Sequence, residues 1–238
     1  MIHGGWTRCA LLALATAVSP WVAAGEPEPD PFAEFEAIAD INEGALEFLD
    51  RPPAAPYPRQ VLRNTLTPAS LRTGWIESRQ CFHDLDPAAA LQVVFRPGRV
   101  RGVVIEQTRN IGRAWVEGAS VQLEDVGRRA LLCLRSENRA LYLDADGSVF
   151  LGTGPHMRRF LDGYFPMRLE LTVRYPPDRL RLDSVKPPAG SGPRLRHRPG
   201  ELYYEALFQG ELRVLVHFLR RDGPAAGAGQ APPHKEAR

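Results

Sequence analysis

Residues 154–167, GPHMRRFLDGYFPM, hold the densest set of groups able to do chemistry in this chain: His156, Arg158 and Arg159 lie within four positions, among two glycines, two prolines and three aromatics. A guanidinium fork grips phosphate, sulfate or carboxylate at two points. The free N–H groups at a helix start favour negative charge. The three basic residues are therefore candidate binding residues for an anion such as a phosphate, a sulfate or an acidic sugar. Met157, Phe160, Leu161 and Tyr164 fall at i, i+3, i+4 and i+7, which predicts a two-turn helix with Pro155 in its first turn and Gly163 at its C-terminal cap. The same spacing also describes a plain connecting helix that plugs one end of a β-fold and uses its aromatics as core.

Other candidate groups are more dispersed. Glu117 and Glu124, in the stretch RNIGRAWVEGASVQLEDVGRR, could supply the acid and base of a glycoside hydrolase if their carboxyls approach. Glu124, Asp125 or His83 could move a proton for a hydrolase or lyase acting on an anionic glycan or phosphoester. Trp115 reads as a core anchor. Cys81-Phe82-His83-Asp84-Leu85-Asp86 brings thiolate, imidazole and carboxylate together, yet no second CxxC or HxxxH accompanies it, so no metal site is assigned. There is no G-x-S-x-G elbow, no HExxH and no P-loop, and no cofactor is called for.

The compartment follows from the N-terminus. Arg8 precedes the apolar run Cys9–Val18, too short to span a bilayer core, and Val22-Ala23-Ala24 suits cleavage after Ala24. Residues 1–24 read as a secretory signal peptide, and the mature chain as periplasmic or secreted with no transmembrane segment. Cys81 and Cys133 are then an even pair in an oxidising compartment and a disulfide candidate, with two buried free thiols as the alternative. The formal net charge of +2 leaves no nucleic-acid footprint, and only two of the 30 basic residues, Lys186 and Lys235, are lysines.

The elements that must position these groups are read from periodicity. Asp30 and Pro31 open a helical pattern through Phe32, Phe35, Ile38 and Ala39, resumed by Ala45, Leu46 and Leu49, which predicts one or two helices over 31–50. Four prolines in RPPAAPYP then make a linker, so residues 25–59 form a helical arm. From residue 60 the period falls to two. Leu169, Leu171, Val173 and Tyr175 alternate with polar residues, as do Leu202 to Phe208 and Leu212 to Phe218. Hairpins are predicted at Gln209-Gly210, at Arg96-Pro97-Gly98-Arg99, at Ser136-Glu137-Asn138 and at Asp144–Gly147. The expectation is a mainly β fold: an antiparallel sandwich or barrel-like body over 60–221, made of one unit or of two packed halves (60–152 and 164–221). It carries the N-terminal helical arm and one short connecting helix, and the tail 222–238 is too polar to pack.

NIGRAWVEG, SVQLEDVG and MRRFLDGYFPM together resemble a family of exported β-rich proteobacterial proteins with no assigned activity, over about residues 40–220. The resemblance implies a Gram-negative envelope setting and includes Cys81 and His83. The function expected is a non-enzymatic module that binds a protein partner or an envelope component. The second reading is the hydrolase or lyase described above.

Overall fold

The structure is a computed structural model that describes residues 44–53, 57–144, 147–190 and 192–221. The expected signal peptide, the first part of the arm and the tail lie outside the described residues. In chain order the strands are β1 (Glu47–Phe48), β2 (Arg59–Thr65), β3 (Trp75–Leu85), β4 (Ala88–Val94), β5 (Val100–Glu117), β6 (Ser120–Arg139), β7 (Leu141–Leu143), β8 (Ser148–His156), β9 (Arg159–Phe160), β10 (Gly163–Tyr164), β11 (Met167–Arg174), β12 (Leu180–Lys186), β13 (Arg194–Arg198), β14 (Glu201–Gln209) and β15 (Leu212–Arg220). One helical turn, α1 (Ser70–Thr73), joins β2 to β3.

The fold is mainly β. A nine-stranded sheet runs β1-β14-β11-β2-β3-β6-β4, with β13 beside β14 and β5 beside β6; a four-stranded sheet runs β12-β15-β8-β7. Neither closes into a barrel. Ladders are antiparallel except for β2 against β11. The predicted alternation places the main core: Leu169, Leu171, Val173, Tyr204, Phe208, Val214, Val216 and Phe218 are buried in one cluster between the two sheets.

The Gln209-Gly210 turn is not a hairpin, since β14 lies in the long sheet and β15 in the short one. The chain arches across the core, so the two apolar sets face each other instead of lying side by side. Alternation alone does not distinguish these cases. Gly210 (φ +89°) is required there, because a Cβ would meet the carbonyl oxygens of Ala45 and Gly44. Those residues belong to the segment expected to be helical. Within the described part the segment is extended instead, and Glu47 and Phe48 pair with Gln209 and Phe208 on the edge of β14, where a helix of two turns would be marginal on its own.

β6 is one strand of 20 residues, so the turn expected at Ser136–Asn138 is absent; those residues pair with β3. Nor do β4 and β5 form a hairpin with each other: both pair with β6. Val94 lies opposite Ser120, and Val100 lies opposite Asn138. A straight strand would hold Ser120 and Asn138 about 60 Å apart, yet the five connecting residues reach only about 20 Å. β6 must therefore fold back on itself. The corner is marked by positive φ at Asp84, Asn110, Asp125 and Arg129 and by register shifts at Arg109/Ile111 and His83/Leu85. At the corner Gly112 stands opposite Asp125 in the β5–β6 ladder, where a Cβ would sit 2.8 Å from the Asp125 Cβ. The fold encloses a second core of Val121, Leu123, Val126, Ala130, Leu132 and Leu134.

The connecting helix over 154–164 is also corrected. β8 continues through His156, which pairs with Leu212, and the backbone then makes the small β9–β10 hairpin, closed by Phe165 N–H donating to the Arg158 carbonyl at 2.9 Å. The helical spacing does not mark a buried stripe: Leu161 is fully exposed at the hairpin tip and Met157 is 39% exposed. The predicted β7–β8 hairpin is present, with Leu141 opposite Leu151 and Leu143 opposite Val149.

Candidate functional site

The site is built by register. Along β2 the residues Leu62 and Asn64 point inward while Arg59, Val61 and Arg63 point outward; along β3 Ile76, Ser78 and Gln80 point inward while Glu77, Arg79 and Cys81 take the outer face. The ladders set these outward residues in rows that cross the strands. One row reads Arg196, Tyr203, Thr172, Arg63, Arg79 and Arg135 over six consecutive strands, β13 to β6. The neighbouring row on one side reads Glu205, Glu170, Val61, Cys81, Cys133 and Gln107. On the other side it reads Glu201, Arg174, Thr65, Glu77, Glu137 and Arg101.

Cys81 and Cys133 are directly opposed and bonded as a disulfide, with Cα atoms 4.1 Å apart. The pair forms the floor of a shallow depression of about 380 Å³ walled by Arg59, Arg63, Arg79, His83 and Glu170. A second depression of about 280 Å³ adjoins it along the sheet and shares Arg63 and Arg79. His83 titrates below its ordinary value, first because it is partly buried and next because the Arg59 charge stands nearby.

The carboxylates of this face are mostly engaged away from the arginine row. Glu170 meets Arg59 at 3.2 Å, Glu205 meets Arg168 at 3.5 Å, Glu201 meets Arg198 at 2.8 Å and Arg174 at 3.3 Å, and Glu137 meets Arg101 at 2.5 Å. Among the described residues only Glu106 reaches into the row, 2.6 Å from Arg79 and 3.5 Å from Arg135. Arg63, exposed and central to both depressions, has no carboxylate within ion-pair distance among the described residues. Like charges set directly opposite on a sheet are unfavourable, so Arg63, Arg79 and Arg135 side by side are held against a local electrostatic cost.

The residues nominated in the 154–167 stretch have separate surroundings. His156 is buried; its Nδ1 bonds Gln60 Oε1 at 2.9 Å, its Nε2 bonds Thr153 Oγ1 at 3.0 Å, and burial holds its pKa down at about 4. Gln60 in turn donates to Gln80, so the imidazole heads a buried polar chain between the sheets. Arg158 holds Asp86 at two points, 2.9 and 2.5 Å, and donates to the Pro166 carbonyl at 3.2 Å, which ties the β9–β10 hairpin to the corner between β3 and β4. Arg159 lies over the Tyr164 ring at 5.5 Å. The three do not meet at one point.

Glu117 and Glu124 sit on the β5–β6 hairpin, opposite Ser120 and Arg113 respectively. Four residues of strand separate their positions, about 13 Å of backbone. Glu124 faces Arg113 at 3.7 Å, and Arg113 covers Trp115 at 4.4 Å. Asp125 is a corner residue with φ +53°. Among the described residues no group of three or more His, Cys, Asp or Glu side chains is arranged to hold a metal.

Sequence reasoning nominated none of Arg63, Arg79, Arg135 and Arg196. Their one local signal is that each takes the polar phase of a strand, which any solvated residue shares.

No protein-family model matches this chain, and no curated protein matches it. Among solved structures it is similar to an M1 zinc metallopeptidase of Deinococcus radiodurans bound to a Tyr-Ser-Ala substrate, at 11% identity and a TM-score of 0.34, over 72% of this chain and 42% of that one. The chain thus spans less than half the length of that protein.

Proposed function

We propose that this protein is an exported, non-enzymatic β-rich module that binds an anionic component of the cell envelope through the outer face of its long sheet. The observation that carries the reading is the arginine row: Arg63, Arg79 and Arg135 abreast on the adjacent strands β2, β3 and β6, with Arg196 in line beyond Thr172 and Tyr203 and, among the described residues, Glu106 as the one carboxylate among them. Arginine forks are suited to carboxylate, sulfate and phosphate. A shallow exposed face suits attachment to a large ligand better than enclosure of a small one. The Cys81–Cys133 disulfide supports an oxidising compartment. Among the described residues no helix is long and apolar enough to cross a membrane. The hydrolase or lyase reading, which would use Arg158 and Arg159 to hold substrate charge, draws no support from an Arg158 guanidinium already gripping Asp86 or from an Arg159 that lies over the Tyr164 ring.

The test is binding of the purified full chain to immobilised polygalacturonate, followed by size analysis of the polymer. The expected result is retention that weakens as salt is raised, as screening requires, with polymer length unchanged. Shortening of the polymer would favour the enzymatic reading; absence of retention at low salt would remove the binding reading for this anion class.

A further inference from the structure

Resting on that reading, we infer that the ligand is a linear acidic polysaccharide, a chain of uronate or sulfated sugars, laid across the strands along the row from Arg196 to Arg135. The row is a line and not a patch, and three features make it so. First, its length: neighbouring strands stand about 4.8 Å apart, so six strands extend it over about 24 Å, following the twist of the sheet. Second, its borders: the rows on both sides carry carboxylates, Glu205 and Glu170 on one and Glu201, Glu77 and Glu137 on the other. Most of these are paired with arginines outside the row, Arg174 and Arg101 among them, so the borders are close to neutral and the surplus of positive charge is confined to the row. Third, its charge: four arginines face one carboxylate, Glu106, at the β6 end.

The chemistry of the row selects among polyanions. Tyr203 and Thr172, between Arg196 and Arg63, put hydroxyl groups on the row; the Tyr203 hydroxyl donates to Glu205 at 3.3 Å and its oxygen is left as an acceptor for a sugar hydroxyl. Arg196 covers a face of the Tyr203 ring at 4.6 Å and takes the place where a nucleobase would stack, whereas single-stranded nucleic acids are held by stacking platforms. An extended acidic peptide presents same-side carboxylates about 6.6 Å apart, out of step with the strand pitch of about 4.8 Å. A peptide would also gain most by adding to a sheet edge, and the row runs over the middle of the sheet.

The experiment is a titration of the full chain with galacturonate oligomers of one, three, six and nine sugars at fixed low salt. Affinity is expected to rise steeply with length and to level once the oligomer covers the row. R63A should weaken binding of the three-, six- and nine-mers about tenfold, the loss of one charge-assisted contact. R196A, at the far end, should weaken the nine-mer while sparing the trimer. Melting curves check that both variants fold, and R63K, keeping the charge but not the fork, should bind between wild type and R63A. Equal affinity at every length would overturn the extended row while leaving an anion-binding face. No binding of any oligomer would instead remove the reading on which it rests. A thymidine dodecamer bound as tightly as the nine-mer would overturn the assignment to a glycan.

Discussion

Strand β2, RQVLRNT, sends Gln60, Leu62 and Asn64 inward at 6, 6 and 2% exposure, and Arg59, Val61 and Arg63 outward. Its neighbours β3 and β11 divide in the same way. On these three strands the inner face is satisfied within the molecule. Its apolar residues pack against the four-stranded sheet, and its polar ones pair with each other: Ser78 donates to Asn64 at 2.8 Å, and Gln60 links His156 to Gln80. On the outer face, three arginines stand abreast with one carboxylate to share. A sheet whose two faces differ in this way has one face optimised for the fold and another that departs from the local optimum, as functional surfaces do.

The comparison can be broken at several points. The largest effect belongs to the inner face: Phe208→Ala, at a fully buried position on β14, should lower unfolding free energy by about 3–5 kcal/mol in urea titrations, whereas Thr172→Ala on the outer face should stay within about 0.5 kcal/mol. Next is the disulfide, which closes a 52-residue separation. Cys81→Ser with Cys133→Ser should cost about 2–4 kcal/mol by chemical denaturation, and a change below about 0.5 kcal/mol would show that the β3–β6 ladder needs no covalent help.

The buried polar chain gives a pH effect of known sign. His156 is held at about 4 in the fold against an ordinary value of 6.5, so below pH 6.5 the unfolded chain takes up a proton that the native one refuses. Stability from this group is complete above pH 6.5 and falls toward pH 4 by up to about 1.4 kcal/mol per pH unit. His156→Gln should flatten that part of the denaturation-midpoint profile. A profile unchanged by the substitution would mean that the imidazole is not held neutral.

Smaller still, Tyr204 carries a buried hydroxyl with no partner among the described residues, and burial raises its pKa. Tyr204→Phe should be neutral or stabilising by up to about 1 kcal/mol in thermal melts. The smallest effect is the sharpest for the comparison: Arg63→Thr should raise stability by a few tenths of a kcal/mol, about what relief of a cross-strand repulsion yields. If it lowers stability instead, the arginine row is a structural device.

The inner face was legible because burial imposes period two on Leu169, Leu171 and Val173 whatever the strand order. The corner in β6 was not legible, because the residues that bend it, Asn110, Asp125 and Arg129, take positive φ without being glycine. The stretch at 154–167 misled for a related reason: helical spacing arises by chance over two turns, and the pairing of His156 with Leu212 outweighed it. The arginine row could not be read along the chain at all. Arg63, Arg79, Arg135 and Arg196 are separated by 16, 56 and 61 positions along the chain and come into line only through the register of six strands.

The most direct test of the central claim is an NMR titration of the isotopically labelled chain with a galacturonate nonamer, read at the arginine Nε–H groups. The account predicts that Arg63, Arg79, Arg135 and Arg196 shift together and saturate at one concentration, while Arg158 stays still. Shifts centred on Arg158 and Arg159, or at none of the four, would contradict it.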